Sequence, residues 1–213
     1  MDVAPFTPPL LDLAHALGAP IDFDAIVGAA YSFHPAKHVT TGEGGAVCTN
    51  DADVARFCRL FRAHGRDGTR QVQMGYNYRL PDLNAALGRA QLARLAWSIA
   101  RRREIAARYD EAFRGLRLTP VAHSPRSSRH LYQILVADRD AVAERLKGRG
   151  IGTAVHYPVI PLQPWWQARG GYTATQFPLA TAWAARTLSL PLYPTLTDAD
   201  VRRVITAVQE ECR

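Results

Sequence analysis

The sequence predicts an α/β protein in two parts, the first an incomplete, mostly parallel sheet with helices and the second a small α+β domain. Three observations predict it. Short apolar runs of strand length alternate with longer segments of helical period. A segment rich in Pro, Ser and Arg at 121–129 separates two such alternations, dividing the chain into 1–120 and 121–213. The first part supplies only three strand-length runs, whereas a sheet covered by helices on both faces ordinarily has about five or more.

Residues 10–13 and 25–33 are apolar runs of buried-strand type, and 46–49 is a third. Asn50-Asp51 then signals a helix start, and Val54, Phe57, Leu60 and Phe61 recur at helical spacing through His64. Residues 65–75 are polar and read as loop. From Pro81 to Phe113 a long helical pattern carries Leu83, Leu87, Ala90, Leu95 and Ile99 near one face, with a break expected at Trp97-Ser98. In the second part, 131–137 and 151–156 read as strands, 138–149 as a helix, and 158–164 as a loop broken by prolines. Helices are expected at 179–186 and 197–210, the latter opening on a capping box of Thr197 and Asp200.

Composition narrows the function. With 47% hydrophobic and 21% charged residues the chain can bury a core, and no run of about 18 uncharged apolar residues could span a membrane. The first 20 residues lack Lys and Arg, which argues against a secretory leader. Cys48, Cys58 and Cys212 show no metal-ligand spacing and read as reduced thiols of a cytoplasmic protein, with no metal site. The net charge of +7 raises the question of nucleic acid. Only two of the 26 basic residues are lysines, Lys37 and Lys147, a skew that spans the whole chain rather than forming a patch. The densest cluster, Arg101-Arg102-Arg103, lies beside Glu104, Asp110 and Glu111 and reads as a solvated helix face. No nucleic-acid or membrane partner is expected.

The chemistry concentrates in Ser32-Phe33-His34-Pro35-Ala36-Lys37-His38-Val39-Thr40-Thr41-Gly42-Glu43-Gly44-Gly45. A strand ends at a serine, a proline breaks the chain, a lysine follows, and a glycine-rich turn leads to the next strand. Lysine forms Schiff bases with aldehydes, a serine hydroxyl can donate to a phosphate, and glycines allow close backbone approach. A lone lysine is usually a solvated surface group, and Lys147, between Arg145 and Arg149, reads that way. Asp12 alone would read as a loop or cap carboxylate, and Asn77 and Arg79 as part of a polar turn before a helix.

Taken together, the run resembles the active-site signature of the DegT/DnrJ/StrS sugar aminotransferases, Ser-Phe-His-Pro-x-Lys-x-x-Thr-x-Gly-Glu-Gly-Gly, at every fixed position. Further segments match in the same order: Leu11-Asp12-Leu13-Ala14-His15-Ala16, Gly75-Tyr76-Asn77-Tyr78-Arg79, Gly150-Ile151-Gly152 with Val155-His156-Tyr157, and Ser189-Leu190-Pro191. The resemblance implies a fold-type I aminotransferase that carries pyridoxal 5'-phosphate (PLP) covalently on Lys37. It implies that Ser32 binds the phosphate, that Asp12 pairs with the pyridinium nitrogen, and that His15 lies near the ring oxygen. Asn77, with Arg79, would meet the phosphate in the neighbouring subunit of a homodimer. His156 and Tyr157 would face the substrate or serve the structure.

The implied reaction is transfer of an amino group, with glutamate as donor, to a nucleotide-linked keto-sugar. Dehydratases of the same family carry histidine where this chain has Lys37, which favours transfer. Family members are longer at the N-terminus, so the chain reads as N-terminally truncated. The rival expectation is therefore a catalytically silent remnant, or one half of a split enzyme acting as an interaction module with the missing N-terminal half.

Overall fold

In the computed structural model, which describes residues 9–213, short apolar runs become strands only where a neighbour satisfies their backbone groups. Of the first 20 residues, which argue against a leader, 1–8 lie outside those described. Compactness divides the chain into a first unit, residues 1–99 with 126–130, and a second, 100–125 with 131–213.

In the first unit β1 (Leu10–Asp12) pairs in parallel with β2 (Gly28–Ser32), and β2 pairs antiparallel with β3 (Gly45–Cys48). This open sheet has β2 at its centre. The register sets Asp12 opposite Ala30 and Ser32 opposite Gly45. Both functional candidates therefore stand at the carboxyl ends of parallel strands, where ligands bind in open α/β sheets. β2 is shorter than the apolar run that predicts it. Asp22 accepts from the Asp24 amide and caps a 3-10 turn over Phe23–Ala25, which uses the front of the run.

Helix α1 (Ala52–Phe61) starts where the sequence signals it, because the Asp51 carboxylate accepts from the amides of Asp53 and Val54. The expected loop at 65–75 contains a small hairpin, β4 (Arg66–Asp67) with β5 (Arg70–Gln71), turned through Gly68 at φ 59°. The long helical pattern is two helices, α2 (Asp82–Ala93) and α3 (Leu95–Ala112). They part at Arg94, three residues before the expected break, where the amide of Arg94 turns back to Gln91 and Leu92.

The second unit, into which α3 continues, holds an antiparallel sheet of order β6-β7-β8, formed by Leu118–Pro120, Tyr132–Val136 and Thr187–Leu190. Helices α4 (Arg139–Gly148), α5 (Pro164–Gly170), α6 (Pro178–Arg186) and α7 (Asp198–Glu211) complete it. Tyr109, Phe113, Tyr132, Ile134, Leu146, Leu188 and Val204 are among its fully buried core. Thr197 and Asp200 form the expected capping box of α7.

Two expectations fail here. Residues 151–156 are not a strand: only Ala154 bridges to Ser189, by a reciprocal pair of backbone hydrogen bonds. The arginine cluster is not a solvated face either. Arg102 is buried and donates to the Leu192 carbonyl at 2.6 Å, and burial lowers its pKa to about 10. Arg101 is tied to Glu104 at 2.6 Å and to Asp198 at 2.7 Å. Among the described residues, no helix is long and apolar enough to cross a membrane.

Candidate active site

The loop between β2 and β3 is folded on itself by its own polar groups. Phe33 donates its amide to the Gly44 carbonyl at 2.9 Å, and its carbonyl accepts from the Thr41 amide at 3.0 Å and the Thr40 hydroxyl at 3.2 Å. Within this closure the Lys37 amide donates to the His34 carbonyl at 2.9 Å, making the tight turn that Pro35 favours. The glycines are needed for approach. A Cβ on Gly45 would lie 2.6 Å from the Tyr31 carbonyl oxygen, and one on Gly44 would lie 2.5 Å from Thr41 Oγ1.

Lys37 is half-buried, and loss of water pushes its ammonium below the usual lysine range, while the nearby charge of Asp12 pulls it back up. Asp12 reaches this position at the end of β1, where its carboxylate also accepts from the Ala14 amide at 3.0 Å. The Ser32 oxygen accepts from the His34 amide at 3.3 Å, which leaves its proton to donate. An amine eased toward its neutral form, a carboxylate able to face a ring nitrogen, and a hydroxyl donor suit an aldehyde cofactor that bears a phosphate. His15, also in the first unit, has its ring against that of His130, with centroids 4.3 Å apart.

The remaining candidates fall in other segments of the chain. Asn77 forms an antiparallel bridge with Ala63 and is exposed, as is Arg79. Among the described residues, no hydrogen bond or ion pair joins their side chains to Asp12, Ser32 or Lys37. His156 and Tyr157 belong to the second unit. His156 Nδ1 lies 2.8 Å from Ser189 Oγ, its carbonyl accepts from Gln133 Nε2 at 3.0 Å, and Tyr157 stands edge-on to its ring.

Three supports of the loop escape the sequence reading. Asn84 on α2 donates to the Thr41 carbonyl, and Gly88, one turn on, leaves room for the Thr41 methyl group. His38 Nε2 lies 2.9 Å from the Ser128 carbonyl. Asn84 and Gly88 share one helix face, a signal that spacing four apart could have offered. Ser128 falls in the segment read only as a boundary.

Comparison with known proteins gives the family and the fold. Residues 8–209 match the DegT/DnrJ/EryC1/StrS aminotransferase family. The spore coat polysaccharide biosynthesis protein SpsC of Bacillus subtilis is 38% identical over 85% of this chain and 52% of its own. Helicobacter pylori PseC, an aminotransferase of pseudoaminic acid biosynthesis, superposes with a TM-score of 0.85 at 31% identity, over 95% of this chain and 58% of its own. The PLP form of the sugar aminotransferase Spr1654 from Streptococcus pneumoniae gives 0.87 at 30% identity, over 95% and 57%. The chain thus spans somewhat more than half the length of these relatives.

Proposed function

The chain belongs to the DegT/DnrJ/EryC1/StrS aminotransferase family, and from that premise we propose that it transfers an amino group, from glutamate, to a nucleotide-linked keto-sugar with PLP held on Lys37. The observation that carries the proposal is the half-buried Lys37 amine, lowered by burial and set in the field of Asp12 at the carboxyl end of two parallel strands. PLP, when bound, supplies the electron sink for amino-group transfer.

Each residue then has a task. Lys37 Nζ anchors the cofactor and, once released, moves the proton from the α-carbon of the donor. Asp12 keeps the ring nitrogen protonated. Ser32 Oγ donates to the phosphate, and His15 faces the ring oxygen. Asn77 and Arg79 act across the interface of a homodimer on the partner's phosphate, a role that their exposure supports. His156 and Tyr157 face the sugar. On this proposal residues 1–120 are the cofactor domain and 121–213 a small domain, and the protein works in the cytoplasm. The sugar aminotransferase relatives support the substrate class.

The test is the visible spectrum of the purified chain with PLP, before and after borohydride, beside Lys37→Ala. Only Lys37, Lys147 and the α-amine can be labelled, so peptide mapping is decisive. A band and label that vanish in Lys37→Ala are expected. Equal labelling of Lys147 would refute the assignment.

A further inference from the structure

We infer that His130 is a positioning residue of the cofactor pocket: its imidazole holds the ring of His15 and, through it, the group proposed to face the ring oxygen of PLP. The inference rests on the proposed function only for what His15 faces, and the contacts themselves stand apart from it.

The segment that carries His130 is far from the pocket in sequence. Residues 126–130 follow α3 and β6, yet they pack as part of the first unit. Three observations show that the return is specific. Arg129 sits at φ 52°, a left-handed conformation that residues other than glycine seldom adopt. Such a conformation persists where surrounding contacts over-determine it. The residue before it, Ser128, is buried and anchors the segment twice. Its carbonyl faces His38 Nε2 at 2.9 Å, and its hydroxyl reaches the His15 carbonyl at 3.5 Å. A carbonyl can only accept, so the proton of His38 resides on Nε2 in this contact.

The residue after Arg129 completes the arrangement. The His130 ring lies 4.3 Å from that of His15, tilted by 47°, and 5.2 Å from that of His38, tilted by 42°. His38 directly follows Lys37. One imidazole thus touches both the ring beside the proposed anchoring lysine and the ring proposed to meet the cofactor. His15 sits just past β1 without a regular element around it, so its backbone alone does not fix χ1 and χ2. The ring contact, with the Ser128 anchor behind it, contributes to that restraint. The action of His130 is indirect, since it shapes where the His15 nitrogens point.

The test compares the full chain with His130→Ala and His130→Phe. The Phe variant keeps an aromatic ring against His15 and loses the nitrogens. PLP affinity is titrated, and at saturating PLP and fixed pH the ratio of visible to near-ultraviolet absorbance reports the ionisation of the cofactor. A residue that merely supports the fold would lower the melting temperature and leave that ratio alone. We expect His130→Ala to weaken PLP about three- to tenfold, the equivalent of one lost ring contact, and to shift the ratio. His130→Phe should match the wild type in both. A wild-type ratio and affinity in His130→Ala would overturn the inference, as would a Phe variant no better than Ala. Should the wild-type chain give no Lys37-dependent band, the proposed function fails by itself. The inference is then decided by NMR on the cofactor-free chain: His15 ring signals that shift in His130→Ala and keep their wild-type positions in His130→Phe uphold it, and His15 signals unchanged in His130→Ala overturn it.

Discussion

Adding one methyl group at Gly88 should loosen the lysine-bearing loop, and the expected size follows from the geometry. A Cβ at this position would lie 2.8 Å from Thr41 Cγ2, about 0.6 Å inside ordinary contact. Thr41 cannot turn away cheaply. It is 1% exposed, its hydroxyl donates to the Glu43 carbonyl at 2.7 Å, and its own carbonyl is held by Asn84. Gly→Ala in an open helix interior stabilises by about 1 kcal/mol. Overpacking a close contact costs about 1–3 kcal/mol. Gly88→Ala should therefore end between neutral and about 2 kcal/mol destabilised, where propensity alone predicts a gain. Thr41→Ser removes the clashing methyl and keeps the hydroxyl, so it separates the two effects. Combined with Gly88→Ala it should recover about 1 kcal/mol or more beyond additivity. Urea unfolding followed by circular dichroism measures the cycle, and PLP titration reads whether the loop has moved. A Gly88→Ala variant stabilised by about 1 kcal/mol, with Thr41→Ser strictly additive, would refute the packing argument.

Two further outcomes are expected. Asp12→Asn removes the charge that raises the Lys37 pKa and leaves the burial that lowers it. The neutral amine is the nucleophile, so the midpoint of the pH profile for Lys37 modification by an amine reagent should fall. An unchanged or higher midpoint would show that the two groups do not sense each other. In the second unit, Leu146→Ala empties a fully buried core site and should cost about 2–5 kcal/mol in the same urea assay, whereas a loss below about 1 kcal/mol would contradict close packing there.

Much of the chain was legible because the deciding interactions are local. Asp51 and Thr197 announce α1 and α7 through side chains that bond amides two or three residues on. Two further elements also carry local signals. Asp67-Gly68 marks the β4–β5 hairpin, and Pro164 at the first turn with Gly171 in the left-handed cap brackets α5. The family was legible for another reason: its run at 32–45 restricts residue types at fixed spacing, so pattern alone points to it.

The sequence by itself determined the family and the capped helices, since the family's run at 32–45 and each cap depend on groups a few positions apart. Only the tertiary structure decided which short runs are strands. Leu118–Pro120 and Thr187–Leu190 are extended because Tyr132–Val136 lies between them to receive their hydrogen bonds, while residues 151–156 find a partner at Ala154 alone. It also decided that Arg102 is inside and that Ser128 and His130 return to the lysine-bearing unit. Such contacts join residues about a hundred positions apart in sequence, and the free energy that selects them comes from burial and pairing partners that no local window contains.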